Sequence, residues 1–213
     1  MVMLTFFALT GLVALVDWVA VARVAHRVEL AAKPLTLALL LVAACFADLG
    51  SAKGWVLAAL VLGLIGDIAL MFAQQGATDL AFLGGLACFG LGHLAYVVAF
   101  VRHGLHGWQV LAGVLVVGGA TSLVMPRVLR AVQAAGGGVL AGAVALYAVA
   151  LGAMAILGLG TGAVATAIGA LLFLASDTTL SWDRFVQPLL RGPTIVIVTY
   201  HVAQVLIVIG LIR

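Results

Sequence analysis

The sequence predicts an all-α membrane protein, a polytopic helix bundle with about eight transmembrane helices. Hydrophobic residues make up 66% of the 213 positions and charged residues only 8%, and the mean hydropathy is +1.33. A soluble domain is usually about 25% charged, so this chain lacks the polar side chains that would cover a water-facing surface. The apolar runs are continuous rather than alternating, which excludes a transmembrane β-barrel.

The length allows seven to nine crossings, because a spanning helix needs about 20 residues and a short loop. The first span is expected at residues 3–22, and it ends at a charged stretch from Arg23 to Glu29. The second is expected at residues 33–47, because proline suits the first turn of a helix and Pro34 follows Lys33.

Polar loops and glycine or proline residues separate the other six spans. Gln74, Gln75, Gly76 and Asp79 indicate a turn between the third and fourth spans. Pro126, followed by Arg127, is expected to stop the fifth span, and the triple glycine at residues 136–138 precedes the sixth. These six spans are expected at residues 54–73, 80–101, 108–125, 139–157, 163–180 and 193–212.

The charge of +3 does not indicate a nucleic-acid partner, because the ten lysines and arginines are scattered singly through apolar sequence. Cytoplasmic loops of membrane proteins are enriched in Lys and Arg, so the face with more of them is predicted to be cytoplasmic. The odd-numbered loops would then be cytoplasmic and both termini outside, with a bacterial inner membrane as the expected location. The odd-numbered loops hold Arg23, Arg27, Lys33, Arg127, Arg130, Arg184 and Arg191, and the other face holds Lys53, Arg102 and Arg213.

The two halves of the chain, residues 1–106 and 107–213, resemble each other. The third and seventh spans each contain an aspartate, Asp67 and Asp177, and the fourth and eighth each contain a histidine. A duplication would give two parallel four-helix repeats related by an axis along the membrane normal; chance similarity between apolar helices is the alternative. On either interpretation the chain is expected to form a single membrane domain, with both aspartates approaching the cytoplasmic face.

Asp67 and Asp177 are the predicted functional carboxyl groups. An ionised aspartate inside the bilayer costs at least ~2.5–3.5 kcal/mol on insertion scales, so such residues usually have a role. Asp67 is flanked by apolar residues on both sides, and Asp177 follows Phe173, Leu174 and Ala175. Asp17, about one turn from the end of the first span, is interpreted instead as an interfacial residue.

Five other polar side chains lie inside predicted spans: His93, Tyr96, Tyr200, His201 and Gln204. Residues three or four apart on a helix share a face, so each span brings its polar side chains together. A structural interpretation is that they hydrogen-bond to neighbouring helices, since buried polar groups need partners. The functional interpretation is that they orient a substrate or a reacting water.

Lys33 also has two interpretations. It is either an anchor whose long side chain reaches the membrane surface or a cation that binds a lipid phosphate. The histidines and aspartates show no metal-ligand spacing, so the sequence predicts neither a metal site nor a cofactor.

Taken together, these positions resemble the YhhN-like lysoplasmalogenase family of membrane proteins. The resemblance runs in family order from the second span to the eighth. Its pieces are Lys33-Pro34-Leu35-Thr36, Gly66-Asp67-Ile68-Ala69-Leu70, residues 89–100 with His93 and Tyr96, residues 169–177 ending in Asp177, and residues 200–210 with Gln204.

The resemblance implies cleavage of the sn-1 vinyl ether of a lysoplasmalogen, a lysophospholipid, to a fatty aldehyde and a glycerophospho-ethanolamine or -choline. A vinyl ether hydrolyses after a proton adds to its β-carbon, which gives an oxocarbenium ion that water captures. This chemistry needs one carboxylic acid and one carboxylate, as in glycosidases, and Asp67 and Asp177 would supply them. Lys33 would hold the phosphate. His93, Tyr96, Tyr200, His201 and Gln204 would orient water or the carboxyl groups.

A membrane transporter or proton relay is the main alternative, because Asp and His inside the bilayer also line such pathways. The helices show no obvious paired breaks of the kind found in broken-helix carriers, which favours the enzyme.

Overall fold

The computed structural model describes residues 1–74 and 79–213, and every regular element in that part of the chain is helical. Seven of the described helices are long and apolar enough to cross a membrane, which confirms the prediction of a polytopic helical membrane protein. Gln75 and Gly76, from the turn predicted after the third span, lie outside the described residues. The helices are α1 (Val2–Ala22), α2 (His26–Phe46), α3 (Lys53–Gln74), α4 (Asp79–His103), α5 (Gly107–Gly160), α6 (Val164–Ser181) and α7 (Gly192–Gly210).

Helix α5 contains two of the eight predicted spans. It has 54 residues, and at 1.5 Å per residue it would be about 80 Å long if straight, whereas the hydrocarbon core is about 30 Å thick. Gly137 interrupts it with φ 73° and ψ −172°, a conformation that glycine adopts without the steric cost of a side chain. The two segments, residues 107–136 and 138–160, therefore correspond to the predicted fifth and sixth spans.

Both prolines that were expected to mark helix ends lie inside helices. Helix α2 begins at His26, so Pro34 is well past its first turn, and α5 continues through Pro126. These two boundary predictions were wrong. The reason is that proline removes one backbone hydrogen bond, whereas ending the helix within the bilayer would expose several unsatisfied groups to lipid.

Helices α1 to α4 and the last three residues form one compact unit, residues 1–103 and 211–213. In this unit α1 packs on α2, α2 on α3, and α3 on α4. The loop before α3 is fixed by two hydrogen bonds: Ser51 Oγ donates to the Arg102 carbonyl (3.0 Å), and the Arg213 amide donates to the Asp48 carbonyl (3.0 Å).

Helices α5 to α7 form a second compact unit, residues 104–210. Its α6 and α7 approach closely at Gly169, where an added Cβ would lie 2.8 Å from the Ala203 carbonyl oxygen and 2.9 Å from the Ile207 nitrogen. Small residues at such points allow membrane helices to pack backbone against backbone. A π-helical turn (Trp182–Val186) follows α6. The single domain of residues 1–213, like the half-repeats, stays a prediction.

Candidate functional site

Lys33 of α2 and Asp67 of α3 form a buried ion pair. The Lys33 Nζ atom lies 3.2 Å from Asp67 Oδ1, and the two side chains are 13% and 2% exposed. Each residue is seven positions from its helix end, Lys33 from His26 and Asp67 from Gln74, which at 1.5 Å per residue is about 10.5 Å. These two ends lie on the same side of the unit because α2 and α3 are consecutive antiparallel helices. The ammonium group offsets the cost of a carboxylate in an apolar environment.

Asp17 of α1 belongs to the same cluster. Its side chain is 0% exposed, and neither of its carboxyl oxygens has a hydrogen-bond partner among the described residues. The charged groups near it are Lys33, Glu29 and Asp67, and Glu29 is also paired with the His26 ring (Nδ1 to Oε2, 3.4 Å). We call Asp17, Glu29, Lys33 and Asp67 the charge cluster. The interfacial interpretation of Asp17 missed this burial, although its position on the same side as Lys33 was a usable signal.

His93 and Tyr96 lie in α4 of the same unit, both about 1% exposed. The packing of α3 on α4 places Gly66 beside the Phe89 ring and Gly92 beside the Ala59 carbonyl. With α3 and α4 aligned in this way, His93 is farther than Asp67 from the C-terminal end of α3, by between one and two helical turns. The two predicted orienting residues therefore lie deeper than the charge cluster.

Asp177 of α6 accepts a short hydrogen bond at Oδ2 from the hydroxyl of Tyr147, in the second segment of α5. The carboxyl side chain is buried, and the adjacent Ser176 Oγ donates to the Val196 carbonyl of α7 (2.9 Å). Sequence reasoning missed Tyr147. A signal was available, because the chain has three tyrosines and all three lie in predicted spans, yet only two were considered.

A small cavity of about 20 Å³ lies against Asp177 and Tyr147. Its polar lining also includes Thr121, Thr178 and Ser181, and the rest is apolar. A cavity needs roughly 10–15 Å³ and two to four polar partners to hold one water. This cavity therefore has the size and the lining to place a single water beside the Asp177 carboxyl group.

The predicted residues of α7 form a buried row. Gln204 Nε2 donates to the Tyr200 hydroxyl (3.4 Å). The Tyr200 ring packs edge-on against Phe173 of α6, with 5.3 Å between ring centroids, and the His201 ring lies 5.5 Å from that of Tyr200. Since Ser176 is level with Val196 and Phe173 with Tyr200, this row begins about one helical turn from the level of Asp177.

The described side chains offer no ready metal centre. Among the described residues, no three His, Cys, Asp or Glu side chains are placed to hold a metal ion.

The chain resembles known proteins over most of its length. Residues 28–211 match the model of the YhhN family, a range that begins after α1. The chain is 36% identical to the lysoplasmalogenase TMEM86B of Sus scrofa over 153 residues, which are 70% of this chain and 59% of that protein. It is 37% identical to the lysoplasmalogenase TMEM86B of Homo sapiens over 155 residues, 73% and 62% of the two chains. It thus spans about 60% of the length of these relatives. No solved structure matches the chain.

Proposed function

The chain belongs to the YhhN family, and on this premise we propose that it is a lysoplasmalogenase, a hydrolase of the vinyl ether at the sn-1 position of lysoplasmalogens. The products are a fatty aldehyde and a glycerophospho-ethanolamine or -choline. The ion pair of Lys33 and Asp67 carries the proposal. It places a cation suited to a lipid phosphate 3.2 Å from a carboxyl group suited to acid–base chemistry, within helices that the family model covers.

The proposed reaction uses two carboxyl groups, those of Asp67 and Asp177. One, as the acid, gives its proton to the β-carbon of the vinyl ether, and the ether oxygen then shares the positive charge of an oxocarbenium ion. The other, as the carboxylate, stabilises this cation and takes a proton from the attacking water. The hemiacetal so formed collapses to the aldehyde and the free glycerol hydroxyl. Glycosidases pass through a similar oxocarbenium-like transition state with the same division of roles.

The remaining polar residues support these two groups in the proposal. Within the second unit, the Tyr147 hydroxyl fixes the carboxyl group of Asp177, and the cavity beside them has room for one water. Lys33 holds the lipid phosphate. The orienting roles of His93 and Tyr96 and of the α7 row, Tyr200, His201 and Gln204, remain predictions, as do the cytoplasmic orientation of the odd-numbered loops and the bacterial inner membrane.

Purified protein in detergent tests the reaction itself. We expect aldehyde from lysoplasmenyl-ethanolamine and none from the matching lysolipid that carries an sn-1 acyl ester, because the ester has no carbon–carbon double bond next to its oxygen to accept the proton. If folded protein releases no aldehyde, the assignment is wrong, and uptake or proton flux in liposomes becomes the assay of choice for the transporter alternative.

Tyr147→Phe is expected to lower kcat/KM by about 10- to 100-fold. The change removes one hydrogen bond to a carboxyl group, an interaction of about 1.5–3 kcal/mol when one partner is charged, and leaves the ring in place. The assay is aldehyde release, with the thermal unfolding temperature measured in parallel.

Thr179→Val is the matched control for Tyr147→Phe. It removes a hydroxyl from α6 that donates only to the Ala175 carbonyl of its own helix, so its activity is expected to stay within twofold of wild type. Equal activities for the two variants would show that Tyr147 does not position Asp177.

A further inference from the structure

The carboxyl group of Asp17 is buried without hydrogen bonds, and the proposed reaction gives it no role. A buried polar group usually has a partner, because leaving one unsatisfied is costly. Both oxygens of Asp17 lack one among the described residues, and its strongest charged neighbour is Lys33, whose ammonium is 3.2 Å from Asp67. The bare oxygens therefore suit a ligand that donates hydrogen bonds.

The charges of the cluster indicate the sign of that ligand. Lys33, Glu29 and Asp67 are the charged groups that act on Asp17, and Glu29 is itself paired with the His26 ring, whose Nδ1 lies 3.4 Å from Glu29 Oε2. Three carboxyl groups thus share one lysine and one histidine, so an additional positive charge would be favoured there. The carboxyl groups are not placed to hold a metal ion. An organic cation with N–H donors, which needs no coordination sphere, fits this arrangement.

The order of these residues along their helices matches the order of the phosphate and the ammonium in a lysophospholipid headgroup. We measured the distance of each residue, along its helix, from the helix end on this side of the unit. This distance is about 4.5 Å for Glu29, about 7.5 Å for Asp17, and about 10.5 Å for Lys33 and Asp67. In a phosphoethanolamine headgroup the ammonium lies outward of the phosphate. A phosphate held at Lys33 therefore directs the ammonium toward Asp17 and Glu29.

We propose that Asp17, assisted by Glu29, binds the headgroup ammonium of the lysoplasmalogen and makes the protein selective for zwitterionic substrates. This inference rests on the proposed function, since it takes Lys33 as the phosphate ligand. A primary ammonium donates hydrogen bonds to the two bare oxygens, whereas the quaternary ammonium of choline has no N–H group. Ethanolamine is therefore the preferred headgroup. Asp17 lies before the range that the family model matches, and Glu29 lies within it, so α1 supplies the principal ligand of the ammonium and α2 the assisting one.

The test compares two vinyl ether lysolipids that differ only in the ammonium. One is lysoplasmenyl-ethanolamine, and the other is 1-alkenyl-glycerol-3-phosphate, which ends at the phosphate. Wild-type protein is expected to show a kcat/KM at least 10-fold higher for the ethanolamine lipid. Asp17→Asn is expected to reduce this ratio to within threefold of unity by raising KM for the ethanolamine lipid, with kcat changed less than twofold. Glu29→Gln is expected to act in the same direction and more weakly.

Asp48→Asn is the matched control, because it removes one negative charge from a loop at the other end of α2 and is expected to leave the ratio unchanged. A wild-type protein that cleaves both lipids equally would overturn the proposal even if Asp17→Asn failed to fold. An Asp17→Asn protein that loses the same factor on both lipids would also overturn it. No aldehyde from either lipid with wild-type protein would instead contradict the proposed function.

Discussion

Replacing either Asp67 or Asp177 with asparagine is expected to lower the rate of aldehyde release by about 10²–10⁴-fold, the usual contribution of general acid–base catalysis. Asparagine has the shape of aspartate and keeps a carbonyl oxygen, but it neither gives a proton to a carbon nor accepts one from water. The loss should therefore appear in kcat. In Asp177→Asn, KM should change little because the Lys33–Asp67 ion pair is intact.

The double variant Asp67→Asn/Asp177→Asn distinguishes a shared reaction from two separate effects. Groups that act in one step show strongly non-additive losses, so the double variant should be little slower than the worse single variant. Asp183→Asn, which makes the same change of charge just after α6, is expected to keep most of the activity. Folded single variants that both retain full activity would refute the assignment of this pair.

Much of the fold was predictable because the bilayer restricts how a backbone can be satisfied. Lipid offers no hydrogen bonds, so each long apolar run must be a helix, and even the break in α5 was signalled by the triple glycine at residues 136–138. The errors occurred where a rule from water was applied to lipid. Pro34 was expected to begin a helix and Pro126 to end one, but here both helices continue through them.

The members of the candidate site were easier to predict than their partners. A charged or polar residue in an apolar run stands out, which is why Lys33, Asp67 and Asp177 were identified. Their neighbours depend on how each helix is rotated about its axis, and a helix that is apolar all round gives little indication of this rotation. The Lys33–Asp67 pair, the burial of Asp17 and the contact of Tyr147 with Asp177 therefore required the structure.

The helix pair α3 and α4 can be compared with the pair α6 and α7, because the predicted repeat would relate them. In the first unit, His93 of α4 lies one to two turns from the level of Asp67; in the second, the row of α7 that contains His201 begins about one turn from the level of Asp177. The partners of the two aspartates differ, however, since one pairs with a lysine and the other with a tyrosine. If the two halves are repeats, the interaction of the aspartate has diverged: it is an ion pair with a lysine in the first half and a hydrogen bond from a tyrosine in the second.

Lys33→Met is expected to be the most destabilising single change at the charge cluster, lowering the free energy of unfolding by about 3 kcal/mol. Methionine keeps most of the length and apolar contact of the lysine but leaves the carboxyl groups of Asp67 and Asp17 without their cation. Asp67→Asn should cost less, because a lysine that loses its partner can extend its long side chain toward the membrane surface. Unfolding in detergent, followed by circular dichroism, measures both.

The double variant Lys33→Met/Asp67→Asn isolates the pair itself. When both charges are gone, neither is left buried alone, so the double variant should be more stable than Lys33→Met and show a coupling energy of about 1–3 kcal/mol. Strictly additive losses would mean that the two groups do not stabilise each other. Lys33→Arg separates stability from function: it keeps the charge, so it should restore most of the stability. Its larger, planar guanidinium holds a phosphate at a different distance from Asp67, and KM for lysoplasmenyl-ethanolamine should therefore stay raised.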